Sequence, residues 1–226
     1  MSVRQMPLIV GASIAALLFS NVAIAAGINV FAKDERGTPL ANAIVTLKGP
    51  SSLTVAGSEH PEMAQIRTQF QPHVLVVRRD SRVAFPNLDS TRHQVYSFSR
   101  VKRFVTRLYA GREADPVEFD QVGLVPIGCH IHDRMQAFIY VTDAPQFALT
   151  DATGKATFDA LPAGEYEIEV LHPWQKKSGS QTRSTRLLST SRDINLRFDL
   201  GEIGADPRIP QRPVSNPLIR SNPFAR

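Results

Sequence analysis

Apolar residues along this chain alternate with polar ones in short bursts, and no stretch repeats them at the 3.6-residue spacing over the length an α-helix needs. The clearest alternations lie at 28–33, 43–48, 74–77, 82–85, 94–98, 104–109, 117–119 and 137–141, then at 147–150, 156–158, 166–171 and 193–200. Turn-forming clusters separate them: Asp34-Glu35-Arg36-Gly37-Thr38-Pro39, Asp151-Ala152-Thr153-Gly154 and Pro162-Ala163-Gly164. Many short strands with turn signals between them predict an all-β chain of sandwich type. The first two strands are expected to pair as a hairpin, and those after Pro145 as further hairpins. The polar stretch from Pro50 to Ala64 is expected to cross between units, and the Lys-, Ser-, Thr- and Arg-rich stretch from Gln175 to Ser191 to be a loop.

The two ends follow different patterns. Arg4 precedes an apolar run from Leu8 to Phe19 and then the small residues Ala23-Ile24-Ala25-Ala26. That arrangement reads as a Sec-type signal peptide over residues 1–25. Its apolar core is about a dozen residues, short of the roughly 20 that cross a bilayer, so the expectation is export to the periplasm with no membrane span after cleavage. From Gly201 the chain carries Pro207, Pro210, Pro213, Pro217 and Pro223 with almost no aromatic residue, and 201–226 is expected to be disordered.

Composition narrows the chemistry. With 226 residues and 42% hydrophobic content the chain can bury a core, as one large domain or two small ones. Its formal net charge is +5, but the basic residues are scattered among 21 acidic ones, so a nucleic-acid partner is not expected. The densest group, Arg100, Lys102, Arg103 and Arg107, reads as a solvated strand face. An exported chain with one cysteine makes no internal disulfide, so the Cys129 thiol needs another role.

The neighbours of that thiol supply one. Gly128-Cys129-His130-Ile131-His132-Asp133-Arg134-Met135 gathers a thiolate, imidazoles and a thioether between two strands, and His93 opens the strand Gln94-Val95-Tyr96 after a turn holding Asn87 and Asp89. Soft and borderline donors of this kind suit copper; two histidines, a cysteine and a water would also suit zinc. The thioether of Met135 favours copper, although Met135 could also serve as core packing. Cys129 and His132 share one segment without a separate oxyanion-hole glycine motif, which argues against a cysteine-histidine hydrolase and for a protein that is not an enzyme. His60 and His73 read as solvent-facing or structural, His130 as exposed or adjacent to the site, and His172 as turn packing.

On these residues the chain resembles the cupredoxins. The spacing from Cys129 to His132 to Met135 is similar to the short ligand loop of amicyanin, although the prolines of that loop are replaced here by Ile131, Asp133 and Arg134. Phe70-x-Pro72 followed by Val74-Leu75-Val76-Val77 resembles the opening strands, and the stretch from Ala64 to Val141 with His172-Pro173-Trp174 is similar to periplasmic plastocyanin-like proteins of the methylamine utilisation type. The resemblance implies one copper ion with His93, Cys129 and His132 as equatorial ligands and Met135 as the axial one. It also implies electron transfer to and from redox partners, a periplasmic dehydrogenase or a cytochrome.

The flanking segments carry a second resemblance. Residues 28–47, with the turn at 34–37 and Pro39-Leu40-Ala41-Asn42-Ala43, resemble the first strands of the carboxypeptidase regulatory-like, transthyretin-type sandwich, and Thr150 to Tyr166 resembles its remainder. An isolated hairpin is marginal alone, so 26–50 and 145–200 are expected to fold together around an inserted cupredoxin domain at 60–144. That arrangement requires Val45 to lie near Val170. Because sandwiches of this type resemble carbohydrate- and partner-binding folds, the alternative function is a binding module, with or without copper, that has no redox role.

Overall fold

The apolar runs on either side of the turn at 34–39 form strands, β1 (Ala26–Lys33) and β2 (Ile44–Lys48), but these do not pair with each other. Both are buried along almost their whole length, and each reaches that burial as an inner strand of a different sheet. A two-stranded hairpin would have left one edge of each open, which is why the expected pairing fails. The computed structural model describes residues 26–206 apart from 54, 56–59, 112–114, 178, 189 and 191. The signal-peptide reading at 1–25 and the tail reading beyond residue 206 fall outside the described residues; over 201–206 the expected disorder does not hold, because Ile203 bridges to Gln175 and packs on the core and the Lys176 and Gly204 amides bond across this segment.

Sixteen strands and no helix occur among the described residues. After β2 come β3 (Ala64–Ile66), β4 (Gln69–Gln71), β5 (Val74–Arg78), β6 (Ser81–Val83), β7 (Val95–Phe98) and β8 (Arg103–Val105). Then follow β9 (Val117–Phe119), β10 (Gly123–Cys129), β11 (Gln136–Thr142), β12 (Gln146–Leu149), β13 (Lys155–Leu161), β14 (Gly164–Leu171), β15 (Gln181–Leu187) and β16 (Ile194–Asp199). The all-β class expected from the alternation stands.

The first and last parts of the chain build one pair of sheets. β1 lies between β13, antiparallel, and β16, parallel; facing it is the order β12-β2-β14-β15. Val45 sits across from Val170 in the β2–β14 ladder. Ile28, Val30, Leu47, Phe158, Ile168 and Phe198 are among the side chains that fill the space between the two sheets. The stretch 175–191 is not all loop, because β15 runs antiparallel to β14 from Gln181 to Leu187. It is an edge strand with mostly exposed polar side chains, the composition that keeps an open edge from pairing with other molecules; for that reason it shows no alternation in sequence. The strands after Pro145 also do not form successive hairpins: β12 joins β2, β13 joins β1, and only β14 and β15 pair as neighbours in sequence.

The middle of the chain builds a second unit, with the five-stranded sheet β5-β11-β10-β7-β8 as its main layer. The small ladders β3–β4 and β6–β9 contribute Phe70, Val83 and Phe119 to the core that this sheet covers with Val95, Val125, Ile127 and Ile139. β10 continues past Pro126, since it pairs with β7 only at Gly128 and Cys129 and the missing proline N–H interrupts no ladder there. Cys129 is thus the last residue of a strand, and only 130–135 form the loop.

A third cluster joins the two units. Ile44 and Leu171 from one meet Val74, Phe138 and Tyr140 from the other, with Trp174 packed against them. The His73 ring stacks on Trp174 at 4.9 Å, and Phe138 meets Trp174 edge-on at 5.4 Å. His172 is buried beside this junction, where its Nε2–H donates to the Ala41 carbonyl at 3.2 Å and its Nδ1 accepts from the Trp174 amide at 3.3 Å. Burial holds the His172 pKa below its ordinary value; the Ala41 carbonyl and the Asp206 carboxylate oppose this without cancelling it. The unfolded chain therefore takes up a proton that the folded chain refuses, and the stability owed to this group is lost as pH falls below the ordinary histidine value of about 6.5. Thermal unfolding followed by Trp174 fluorescence is expected to show a fall in Tm from about pH 7.5 to about pH 5.5, and a smaller fall in His172→Gln.

Candidate metal centre

His93 is completely buried, and its backbone is bridged to Tyr109 by two hydrogen bonds of 3.0 Å. The turn before it is held by Asn87, which is 3% exposed; its amide group donates to the Thr91 and Tyr109 carbonyls at 2.9 and 3.0 Å. The Asn87 side-chain oxygen accepts from the Asp89 amide at 3.0 Å. Asp89 then reaches three ways: its carboxylate accepts from the amides of Arg67 and Thr68 at 2.6 and 2.9 Å and from His93 Nε2 at 2.9 Å. Arg67 and Thr68 have φ of 52° and 58°, so this carboxylate caps a left-handed turn between β3 and β4 and ties it to the imidazole. Partial burial raises the Asp89 pKa, but the Thr68, His93 and Arg67 hydrogen bonds outweigh it and leave the carboxyl below its ordinary value.

With Nε2 engaged as a donor, the Nδ1 of His93 is left as the acceptor nitrogen. It faces Cys129 Sγ at 3.6 Å. Cys129 is 4% exposed, and its amide donates to the Met135 carbonyl at 3.1 Å while the Met135 amide donates to the His132 carbonyl at 2.8 Å. These two bonds close the 130–135 loop tightly and bring Cys129, His132 and Met135 to one end of the sheet. The His132 ring lies 5.1 Å from that of His93, centroid to centroid, and its Nδ1 is buried with no hydrogen-bond partner.

The candidate ligand atoms of His93, Cys129 and His132 all lie within 4.8 Å of one another. A buried imidazole nitrogen left unsatisfied costs ~1–3 kcal/mol, and a single ion among the three donors would remove that cost. The donor set of one thiolate and two imidazoles fits copper or zinc. Met135 is 1% exposed and shares a buried cluster with Cys129. The remaining histidines stay apart from this group: His130 is exposed and stacks on Tyr96 at 4.2 Å, His60 is exposed, and His73 and His172 belong to the junction. In the sequence, Asp89 shows only as part of a turn. Its bond to His93 follows a four-residue spacing, but the two amides that fix it come from 21 and 22 positions away, which no local pattern reveals.

No family model matches the chain, and no curated protein matches it. Solved structures do. A copper-containing nitrite reductase from Thermus scotoductus aligns at a TM-score of 0.36 and 21% identity over 42% of this chain, which spans only 25% of the reductase. A Cu(I) form of an amicyanin variant aligns at 0.35 and 16% identity, covering 43% of this chain and 99% of amicyanin. A purple cupredoxin from Nitrosopumilus maritimus aligns at 0.32 and 17% identity over 36% of this chain and 99% of its own. Scores and identities this low assign no function, and the chemistry rests on the geometry of the centre itself.

Proposed function

We propose that the chain is an exported, periplasmic blue-copper protein that carries single electrons between redox partners and catalyses no reaction of its own. One copper ion would be held by His93, Cys129 and His132, with the Met135 thioether as a weaker fourth donor. The observation that carries this reading is the convergence of three buried or half-buried donors, one soft thiolate and two borderline imidazoles, one of them a His132 nitrogen with no hydrogen-bond partner. Bound there, copper supplies a one-electron couple between Cu(I) and Cu(II). The buried thioether of Met135 favours copper over zinc.

The chain's own residues do the rest. Asp89 fixes the His93 tautomer so that Nδ1 faces the sulfur, and the β7–β10 pairing of Val95 with Cys129 sets the distance between the strands that carry the two donors. Phe85, Phe119, Ile127 and Ile139 keep water away from the sulfur side. A site built in advance moves little when the charge on it changes, which favours fast transfer. Titrating the apo-protein with Cu(II) tests the proposal: an intense visible thiolate-to-copper band is expected, and a colourless, redox-silent complex would sink it.

Outer partners of a ligating histidine are worth about 10–100-fold in metal affinity. Asp89→Asn is expected to weaken copper by that factor in a chelator competition while leaving the visible band in place.

We also take 60–144 as a cupredoxin-type domain inserted into a carboxypeptidase regulatory-like sandwich made from 26–50 and 145–200. Two separate cores and the pairing of Val45 with Val170 support this.

A further inference from the structure

Among the described residues, no second layer covers the β7–β8 side of the outer face of the five-stranded sheet. On β5 and β11, Val74, Phe138 and Tyr140 point into the junction with the other unit. On the remaining strands, Phe98 is 57% and Val105 50% exposed, with the exposed Pro126 and the half-buried Tyr96 beside them. Full burial of a phenylalanine side chain is worth ~1.5–3 kcal/mol, so a cluster of uncovered rings marks a contact surface where a lone exposed one would not.

These rings touch. Tyr96 stacks on His130 at 4.2 Å and meets Phe98 at 5.0 Å, with Phe98 and His130 6.2 Å apart. Gly128 permits the arrangement, because a Cβ there would stand 2.7 Å from the Tyr96 ring. The stack also brackets Cys129: Gly128, beneath Tyr96, precedes it and His130 follows it, while the thiol itself points to the opposite side toward His93.

The unpaired charge at the β7–β8 end of this face is positive. Arg103 lies across from Phe98, and Arg100 is exposed two positions after Phe98 in the chain; the exposed Arg134 is next to Asp133, which offsets it. Lys102 is neutralised by Asp120 at 3.0 Å, but among the described residues no carboxylate pairs with Arg100, Arg103 or Arg134. The half-buried His132 edge has the exposed carboxylate of Asp133 next to it in the chain. An acidic partner is drawn to the ring face and held off the His132 edge.

We propose that the Tyr96–Phe98–His130 face receives an acidic protein bearing a one-electron acceptor, and that the Tyr96–His130 stack links it to Cys129. The inference rests on the copper reading. In each encounter one electron leaves the bound copper, taking it from Cu(I) to Cu(II), and the partner's acceptor gains that electron; no bond or proton changes hands.

Two measurements on the full copper-loaded chain test it. In the reduced, nitrogen-15-labelled protein, the paramagnetic anion hexacyanochromate(III) is expected to broaden amides at 96–105 and 128–130; broadening confined to 131–133 would overturn the proposal. In stopped-flow oxidation by ferricyanide at low salt, Arg100→Glu with Arg103→Glu is expected to slow the reaction about tenfold, with the difference vanishing at high salt. Tyr96→Leu with His130→Ala is expected to slow it at both. Unchanged rates in both double variants would overturn the proposal. The visible band of each variant is recorded first, so failure of the copper reading shows as a missing band in the parent protein, apart from any change in rate.

Discussion

Cys129→Ser is expected to abolish the visible absorption produced by Cu(II), because the band arises from charge transfer out of a thiolate and serine offers none. Copper affinity should fall by more than the ~10–100-fold expected for losing an outer partner such as Asp89, since the proposed ligand set loses a direct donor. The hydroxyl would sit among Phe85, Val95, Ile127 and Met135 with the His93 Nδ1 as its nearest acceptor, and if the shorter side chain does not reach that nitrogen the unpartnered hydroxyl costs ~1–3 kcal/mol. Thermal unfolding of the metal-free variant separates that cost from the loss of metal. A serine variant that keeps the band would show that the sulfur is not a ligand.

Gly154→Val is expected to be the most damaging substitution in the sandwich formed by the two ends of the chain. Gly154 has φ of 75°, and a Cβ there would stand 2.4 Å from the Ala32 carbonyl oxygen and 3.1 Å from the Leu40 amide nitrogen. Both are backbone atoms already committed to each other and to the turn: the Ala32 amide donates to the Gly154 carbonyl at 2.8 Å, and the Leu40 amide to the Ala32 carbonyl at 3.0 Å. A non-glycine residue held in the left-handed region costs ~1–3 kcal/mol, and a β-branched one that must also displace backbone should exceed that, reaching about 4 kcal/mol. Urea unfolding measures it; a loss under about 1 kcal/mol would mean that the turn relaxes freely.

Period-two alternation made the all-β class legible, because that pattern belongs to strands alone. It does not say which strands meet. β1 and β2 look like a hairpin in sequence, since a turn and two apolar runs are all that a hairpin shows; the choice between pairing locally and entering different sheets is made by strands more than a hundred positions away. β15 shows no apolar alternation because only its last residue, Leu187, reaches the core and its other side chains are polar. At the candidate centre, Cys129, His132 and Met135 could be read together because four soft or borderline donors within seven residues are rarely accidental. His93 could be read from its place at the opening of a strand after a turn. The grip of Asp89 on that ring could not, because its geometry depends on where β3 and β4 fold back.

The parallel ladder between β1 and β16 has a consequence for how the molecule is made. The Gly27 amide finds the Asp193 carboxylate 166 positions later, at 2.9 Å, and Asn29 meets Thr157 across 128. The ladders of the middle sheet are far more local. A chain emerging amino end first can therefore complete its interior unit while its opening strand still waits for neighbours not yet delivered. Closure of so long a loop is slow, and until it happens the apolar flank of β1 stands bare. The step most exposed to aggregation is thus the docking of the last strand beside the first, after the middle unit has already taken shape.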